Sequence, residues 1–289
     1  MTLPNFLVIG AGRAGTTSLY TYLDEHPDVF MSRIKEPNFF LDPTPRNASA
    51  RYAKTLAEYE ALFADAGGAS AIGEASVVYF RHPSSAARIK ATLGPDVNLI
   101  LILRQPAMRA FSGYLLSRRG DGQVLERRSA AEALLNPESG FERSYYADSL
   151  ERWLDLFPDR LKILIFERYV ANLSDTLRQV FEHIGVDPAF EPDFSRRYNE
   201  GWVPRNAALN RVLKHRRLRR IARSALPAGA QSAIRTLTRR NQAPAPSIDP
   251  ALYEELTQRY LADIRRTEEL IGEDLSHWLQ PPPVTASTS

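Results

Sequence analysis

The sequence of 289 residues contains no cysteine, so it can form no disulfide, no cysteine-based zinc site and no thiolate nucleophile. Its five histidines are scattered without metal-ligand spacing, which argues against a metal site. No apolar run approaches the about 20 residues that cross a bilayer, and the first apolar run begins too early to leave room for a signal peptide. We therefore expect a cytoplasmic protein, for which any contact with the inner face of the membrane would be peripheral.

Acidic residues are missing from one stretch of the chain. Between Glu200 and Asp249 there are eleven Lys and Arg, and subtracting them from the net charge of +3 leaves −8 for the remainder. Partial helical periodicity predicts a basic helical segment over 205–240. Three interpretations stay open: an amphipathic helix on an anionic membrane or lipid-linked acceptor, a site for an acidic substrate or for a polyanionic donor, and a solvated basic helix. No interleaved aromatic residues support nucleic-acid binding.

Apolar runs alternate with amphipathic stretches along the chain. The runs predict core strands at Phe6–Gly10, 71–74, Asn98–Leu103 and 161–166. The stretches predict helices at Thr16–Glu25, 51–63, 84–93, 108–118, 145–157 and 175–184. This alternation predicts an α/β fold in which helices cover both faces of a central, mainly parallel sheet. We expect one domain over 1–278, a lid or insertion at 123–141 and a disordered tail at 279–289.

A glycine-containing loop follows the first apolar run. It reads G-A-G-R-A-G-T-T-S, so Gly10 and Gly15 hold the glycine positions of the phosphate-binding pattern G-x-x-x-x-G-K-[ST]. Thr17 occupies the position of the hydroxyl that binds Mg²⁺ in that pattern, but Thr16 replaces the lysine. Arg13 instead brings a cation inside the loop. We expect backbone N–H groups, the helix N-terminus and this arginine to bind an anionic group.

The loop resembles the 5′-phosphosulfate-binding loop of sulfotransferases that use 3′-phosphoadenosine 5′-phosphosulfate (PAPS). The family pattern is roughly [PQ]-K-[SAT]-G-T-T-[ST]-L, and Arg13 stands where the family has a lysine that is thought to help the leaving phosphate depart. The resemblance implies a P-loop-like three-layer fold and makes Arg13 a catalytic candidate. It also implies donor contacts from one run of residues: Arg13, Ala14, Gly15, Thr16, Thr17 and Ser18.

A second match lies at the end of the apolar run Asn98–Leu103. Arg104 follows the run, and Ser112 comes eight residues later in a helical stretch. This spacing resembles the family motif that holds the 3′-phosphate of PAPS, and the carboxyl ends of strands are where open α/β sheets bind ligands. The segment 199–205 resembles the late loop that closes over the nucleotide with a basic residue. The resemblance thus implies nucleotide contacts from Arg104, Ser112 and Arg205.

Two further segments resemble those of carbohydrate sulfotransferases. Residues 35–40 read K-E-P-N-F-F and resemble K-E-x-x-[FY]-F, whose glutamate is the proposed general base, so Glu36 is the catalytic candidate. Residues 73–80 read G-E-A-S-V-V-Y-F and resemble E-x-[ST]-P-x-Y, with Ala75 where some relatives carry a lysine. We expect substrate contacts from three residues of these segments: Lys35, Glu74 and Ser76. His26 is a rival base, but a His-Pro pair at a helix end is typical of a structural role.

The resemblance extends over nearly the whole chain, and 262–278 resembles the bacterial branch of the family. It implies metal-independent, in-line transfer of a sulfonyl group from PAPS to a hydroxyl, or with less support an amine, of a carbohydrate, glycolipid or glycosylated small molecule. A small-molecule kinase with a degenerate phosphate loop remains an alternative that Thr16 disfavours. A non-catalytic nucleotide- or anion-binding peripheral protein is the other, and it requires Glu36 to be idle. The sequence names neither the acceptor nor the oligomeric state.

Overall fold

The computed structural model describes residues 2–42, 53–119, 126–136, 144–195, 202–206, 209–210, 213 and 228–281. The chain divides into two compact units. The first comprises Met1–Gln105, Tyr146–Asn199 and Ala262–Leu275, and the second comprises Pro106–Tyr145, Glu200–Leu261 and Ser276–Ser289. The single domain expected over 1–278 stays a prediction.

Five strands form the sheet of the first unit: β1 (Phe6–Gly10), β2 (Val29–Met31), β3 (Ala71–Ala75), β4 (Asn98–Leu103) and β5 (Leu161–Ile165). Their order across the sheet is β2-β3-β1-β4-β5, and every pairing is parallel. Strands covered on both faces must be apolar throughout, and β1 is buried along its whole length. The predicted α/β fold with a parallel sheet is confirmed, and β2 is an edge strand that the sequence did not predict.

The helices follow in chain order: α1 (Thr16–Glu25), α2 (Leu56–Glu60), α3 (Ser85–Leu93), α4 (Pro106–Arg118), α5 (Ala130–Leu134), α6 (Ala147–Leu156), α7 (Phe166–Ala171), α8 (Leu173–Ile184), α9 (Ala228–Arg240) and α10 (Pro250–Ile271). Single 3₁₀ turns lie at Ala61–Phe63, Tyr79–Arg81 and Ser276–Leu279. Within the described ranges, no helix combines the length and the apolarity that a bilayer span requires.

The helices of the first unit lie on both faces of the sheet because the connections run in opposite directions. From β1 the chain passes through α1 towards one edge, whereas α3 connects β3 to β4 on the other side of β1. Right-handed crossovers therefore put α1 and α3 on opposite faces. The His26 ring at the end of α1 lies 4.8 Å from the Phe181 ring of α8, which places α8 with α1. The opposite face also carries α6, which packs on α3.

The second unit holds α4, α5, α9 and a short antiparallel pair, β6 (Trp202–Pro204) and β7 (Gln242–Pro244). Arg119 at the end of α4 donates from Nε to the Trp202 carbonyl at 2.7 Å and lies 4.7 Å from the centre of its indole ring. Helix α9 lies inside the basic segment predicted over 205–240, and 214–227 of that segment lie outside the described residues. Residues 123–125 and 137–141 of the predicted insertion and the tail beyond 281 also lie outside the described residues.

One predicted helix is shorter in the structure than in the sequence-based expectation. The helix expected over 51–63 begins at Leu56, because Thr55 caps it: the Thr55 hydroxyl accepts from the Glu58 N–H, and the Glu58 carboxylate accepts from the Thr55 N–H. The strand expected to reach residue 166 ends at Ile165, since α7 starts directly after it.

Candidate functional site

The loop between β1 and α1 has the backbone of an anion site. Gly15 caps α1 with a φ of 87°, a left-handed conformation that favours glycine. A Cβ atom at this position would lie 3.0 Å from the Phe166 ring, so there is no room for a larger residue. Glycine has no side chain with which to cap the helix, so no side-chain cap bond closes the helix start at this position. The helix start is therefore available to a phosphate or sulfate group.

Arg104 holds this loop from the end of β4. Its Nη1 donates to the Arg13 carbonyl at 3.0 Å, and its guanidinium lies 4.5 Å from the centre of the Phe166 ring. Burial lowers the pKa of Arg104, against the opposite effect of Glu167 and Tyr146. Its Nε atom is buried and has no hydrogen-bond partner among the described residues. The arginine thus fixes the loop while its remaining donors stay available to a ligand.

A second loop, residues 32–38, leaves β2 and is named here the Lys-Glu loop. Lys35 donates from Nζ to the Thr17 hydroxyl at 3.0 Å and lies 3.6 Å from the Glu36 carboxylate. Thr17 is the second residue of α1, so the lysine links the phosphate loop to the candidate base. Burial lowers the pKa of Lys35, Glu36 raises it, and the nearby Arg13 charge lowers it further. Two cations and one carboxylate therefore meet at the start of α1.

The backbone of the Lys-Glu loop is strained and is held in place by hydrogen bonds. Glu36 has a φ of 63° and Asn38 a φ of 55°, conformations that non-glycine residues adopt at a cost. The Glu36 N–H donates to the Ala75 carbonyl at 3.0 Å, and the Asn38 Nδ2 donates to the Glu36 carbonyl at 2.8 Å. The Asn38 N–H donates to the Ser76 hydroxyl at 3.1 Å. The loop is thus tied to the end of β3 on both sides of the candidate base.

Beneath the Lys-Glu loop lies a buried polar cluster around Glu74. This residue is fully buried, and the Tyr59 hydroxyl donates to its Oε1 at 3.4 Å. Burial raises the pKa of Glu74 to about 7, although the hydroxyls of Ser76, Tyr79 and Tyr59 act in the opposite direction. The Tyr79 hydroxyl also accepts from the Phe40 N–H at 3.3 Å. The cluster therefore connects β3 to the chain that follows the loop.

No family model matches the chain, but curated relatives and a solved structure resemble it. The chain is 32% identical over 191 residues to heparan sulfate glucosamine 3-O-sulfotransferase 3B1 of Mus musculus, an alignment that covers 64% of the chain and 46% of the relative. It is 29% identical over 217 residues to bifunctional heparan sulfate N-deacetylase/N-sulfotransferase 2 of Mus musculus, covering 68% of the chain and 24% of the relative. A solved sulfotransferase from Alicyclobacillus acidocaldarius matches with a TM-score of 0.74 and 27% identity, over 97% of the chain and 100% of that structure.

These similarities support a sulfotransferase family for the chain. The resemblance to sulfotransferases and the P-loop-like three-layer fold predicted from the sequence are thereby confirmed. The chain spans less than half the length of these curated relatives. Its activity, donor and acceptor are therefore not carried over from them.

The first unit contains most of the residues that the sequence singled out. Thr16, in the place of the usual lysine, is buried, whereas Thr17 and Ser18 are half-buried at the start of α1. Ala14 is fully buried. Ser112 lies half-buried on α4 and Arg205 is exposed, both in the second unit. The roles predicted for these residues stay predictions.

The structure gives His26 a structural environment. Its Nδ1 accepts from the Asp28 N–H at 3.1 Å, so Nε2 carries the proton and donates to the Asp187 carbonyl at 3.0 Å. The ring is 2% exposed and packs between Phe181 and Phe190. With both nitrogens engaged in the core, His26 is a support for α1.

Sequence reasoning missed the groups that support the Lys-Glu loop. Asn38 and Tyr79 lie in the quoted motifs and Tyr59 lies in a predicted helix, but the sequence analysis predicts no role for them. Two signals were available: asparagine is enriched among non-glycine residues with positive φ, and Tyr79 matches the tyrosine of the second motif. Tyr59 carried no such signal, because its hydroxyl meets Glu74 only through the fold.

Proposed function

We propose that this protein is a sulfotransferase that transfers a sulfonyl group from PAPS to a hydroxyl of a carbohydrate or glycosylated acceptor. The observation that carries the proposal is the position of Lys35, which contacts Thr17 of the phosphate loop on one side and Glu36 on the other. An anion-binding backbone, cations and a partly exposed carboxylate are the groups that metal-independent sulfonyl transfer needs. We propose that these cations and N–H groups neutralise the leaving phosphate, so that the transfer needs no metal ion.

The donor would bind with its 5′-phosphosulfate in the loop between β1 and α1. The N–H groups of the loop and helix start would hold the phosphate, and Arg13 would neutralise the charge that develops on it as it leaves. Arg104 already donates to the Arg13 carbonyl, and its other donors suit the 3′-phosphate that distinguishes PAPS from other adenine nucleotides. Ser112 and Arg205 belong to the second unit, and the nucleotide contacts predicted for them remain part of the proposal.

Glu36 would act as the general base. As the acceptor oxygen bonds to sulfur, the bond from sulfur to the bridging phosphate oxygen breaks, and the hydroxyl proton passes to the carboxylate. Adenosine 3′,5′-bisphosphate then leaves with the electron pair of the broken bond. A hydroxyl has a pKa far above neutrality, so such a base is worth about 10²–10⁴-fold in rate. The Glu36 side chain is 42% exposed, which leaves it within reach of an acceptor.

The relatives support a carbohydrate acceptor without fixing the acceptor atom. Their names include both a 3-O-sulfotransferase and an N-sulfotransferase of heparan sulfate. We propose a hydroxyl because it has the greater need of a base such as Glu36. Mass spectrometry of a panel of oligosaccharide, glycolipid and amino-sugar acceptors, screening for the mass of one added sulfonyl group, tests this choice. A gain confined to amines would overturn it.

The donor assignment is tested by thermal stability and turnover. Adenosine 3′,5′-bisphosphate should raise the Tm without Mg²⁺, and AMP should do so much less, because it offers no 3′-phosphate to Arg104. Arg104→Gln should remove the difference between the nucleotides, whereas the control Arg160→Gln, at an exposed ion pair with Asp96, should keep it. Greater stabilisation by ATP with Mg²⁺ would favour a kinase. Bisphosphate binding without turnover of labelled PAPS on any acceptor would favour a non-catalytic binding protein.

A further inference from the structure

Lys35 lies between the phosphate loop and Glu36, the candidate base. Its Nζ is 3.0 Å from the Thr17 hydroxyl, on the side of the phosphate loop, and 3.6 Å from the Glu36 carboxylate. A group that moves from a phosphate bound in the loop to an oxygen beside Glu36 would pass near this ammonium. The lysine side chain is 25% exposed, so part of it is accessible to a ligand.

An ordinary surface ion pair explains this position poorly. Exposed ion pairs contribute little to stability and need no burial. Lys35 is partly buried beside a second cation, Arg13, and both burial and that charge lower its pKa. Two cations held close together repel each other, and an anion bound between them would relieve that repulsion. The arrangement is therefore better suited to an anionic ligand than to an ion pair alone.

The backbone around Lys35 is fixed before any ligand binds. The Ser32 N–H donates to the Gly73 carbonyl at 2.8 Å, and the Glu36 N–H donates to the Ala75 carbonyl at 3.0 Å. These bonds attach the Lys-Glu loop to β3 on either side of the lysine. The Cα of Lys35 thus stays in place and only its side chain can turn. A backbone that is in place before the ligand binds is part of the preorganisation that transition-state stabilisation requires.

We propose that Lys35 is a catalytic residue whose ammonium group binds the sulfonyl oxygens during transfer, and this inference rests on the proposed function. It donates hydrogen bonds to those oxygens and gives up no proton. The proton of the acceptor still goes to Glu36, and the leaving electron pair still goes to the phosphate. An ammonium suits this task because its three donors rotate with the moving group, whereas a guanidinium has a fixed fork.

The test separates contacts with the sulfonyl group from contacts with the nucleotide. The variants Lys35→Met and Lys35→Arg are compared with Lys54→Met, a control at an exposed lysine. For each, kcat is measured with an acceptor that the wild-type protein sulfates, and the Kd values of PAPS and adenosine 3′,5′-bisphosphate are measured without acceptor. Because the bisphosphate lacks the sulfonyl group, Lys35→Met should leave its Kd within about threefold while kcat falls about 10²–10³-fold, the range for losing one such donor. The Kd ratio of PAPS to bisphosphate should rise, and Lys35→Arg should restore part of kcat.

Other results overturn the proposal in distinguishable ways. Equal loss of affinity for both nucleotides would mean that Lys35 only shapes the loop through Thr17. Loss of kcat with an unchanged Kd ratio would make it a positioning group for Glu36. Unchanged kinetics in Lys35→Met would leave the lysine without a role in the reaction. If the wild-type chain itself fails to turn over PAPS, the proposed function fails, and this inference with it.

Discussion

Two loops of the same sheet reach left-handed backbone conformations in different ways. The phosphate loop after β1 places glycine at the helix cap, where φ is 87° and a side chain would meet the Phe166 ring. The Lys-Glu loop after β2 places Glu36 and Asn38 at φ values of 63° and 55°, where glycine would be easier to accommodate. At the helix cap the first loop gives up a side chain so that its backbone can approach a ligand, although it also holds one non-glycine residue, Arg13, at a φ of 72°. The second accepts strain of about 1–3 kcal/mol per residue in order to present a side chain.

The two loops also differ in what stabilises them. Arg104 holds the phosphate loop from β4 through one bond to the Arg13 carbonyl. A network with Asn38 and Ser76 holds the Lys-Glu loop above the buried Glu74. Strain at a site persists only where the surroundings over-determine the conformation. The comparison therefore predicts that the first loop is sensitive to added volume and the second to changes in charge.

The largest expected effect is on the carboxylate that the strained loop presents. Glu36→Gln should lower kcat by about 10²–10⁴-fold, because the amide cannot accept the acceptor proton. The Kd of adenosine 3′,5′-bisphosphate should change little, since that ligand has no acceptor group. Steady-state kinetics and calorimetry measure the two quantities, with Glu254→Gln on an exposed face of α10 as the control. A variant that retains wild-type kcat would show that the strained loop presents something other than the base.

The next effect concerns Glu74, which lies beneath the Lys-Glu loop, and the pH dependence of the free energy of unfolding. Burial raises the pKa of Glu74 to about 7 from its ordinary value of 4.5. Between pH 4.5 and 7 the folded state keeps a proton on Glu74 that the unfolded state has lost. The contribution of Glu74 to the free energy of unfolding is therefore greatest below pH 4.5 and falls as the pH rises towards 7. The decline should be about 3 kcal/mol for this one group. Urea unfolding of the wild type and of Glu74→Gln across this range should reveal it.

The glutamine variant is the internal reference for that measurement, because it cannot ionise and other groups titrate alike in both proteins. The difference between the free energies of unfolding of wild type and variant should therefore shift by about 3 kcal/mol against the wild type from pH 4.5 to 7.5. If the free energies of unfolding of the two proteins change in parallel with pH, Glu74 is ionised in its buried cluster. That result would contradict the expected sensitivity of the Lys-Glu loop to changes in charge.

A smaller effect is expected when volume is added to the phosphate loop. Gly15→Ala adds a methyl group 3.0 Å from the Phe166 ring at a φ of 87°. Gly185, at the end of α8, is a matched control because it is also left-handed, with a φ of 76°, and no atom lies within 4 Å of the added carbon. Both variants should lose about 1 kcal/mol or more of stability from backbone strain. In addition, Gly15→Ala should weaken binding of the bisphosphate, which Gly185→Ala should leave intact. Equal binding by both variants would show that the loop does not contact the ligand.

The sequence could predict the phosphate loop because its information is local. Glycine spacing, an apolar strand before it and a helix after it lie in one short stretch, and the uninterrupted apolar residues of β1 and β4 predict buried parallel strands in the same way. The strand β2 escaped prediction because Val29–Met31 is too short to show a period. The support of the Lys-Glu loop escaped it for another reason. Tyr59 and Glu74 are 15 residues apart on different elements, so their contact exists only in the fold.

The smallest expected effect concerns Arg13, the cation of the phosphate loop. Arg13→Lys should keep most activity, with kcat falling less than about tenfold, if Arg13 serves as a positive charge near the departing phosphate. The Arg13 side chain is not what Arg104 contacts, since Arg104 donates to its backbone carbonyl, so the loop should keep its shape in the variant. Lysine should also tolerate the φ of 72° about as well as arginine does. Measuring kcat together with the melting temperature checks the prediction. An inactive but stably folded variant would show that the fork of two N–H donors at this position has a task that an ammonium cannot perform.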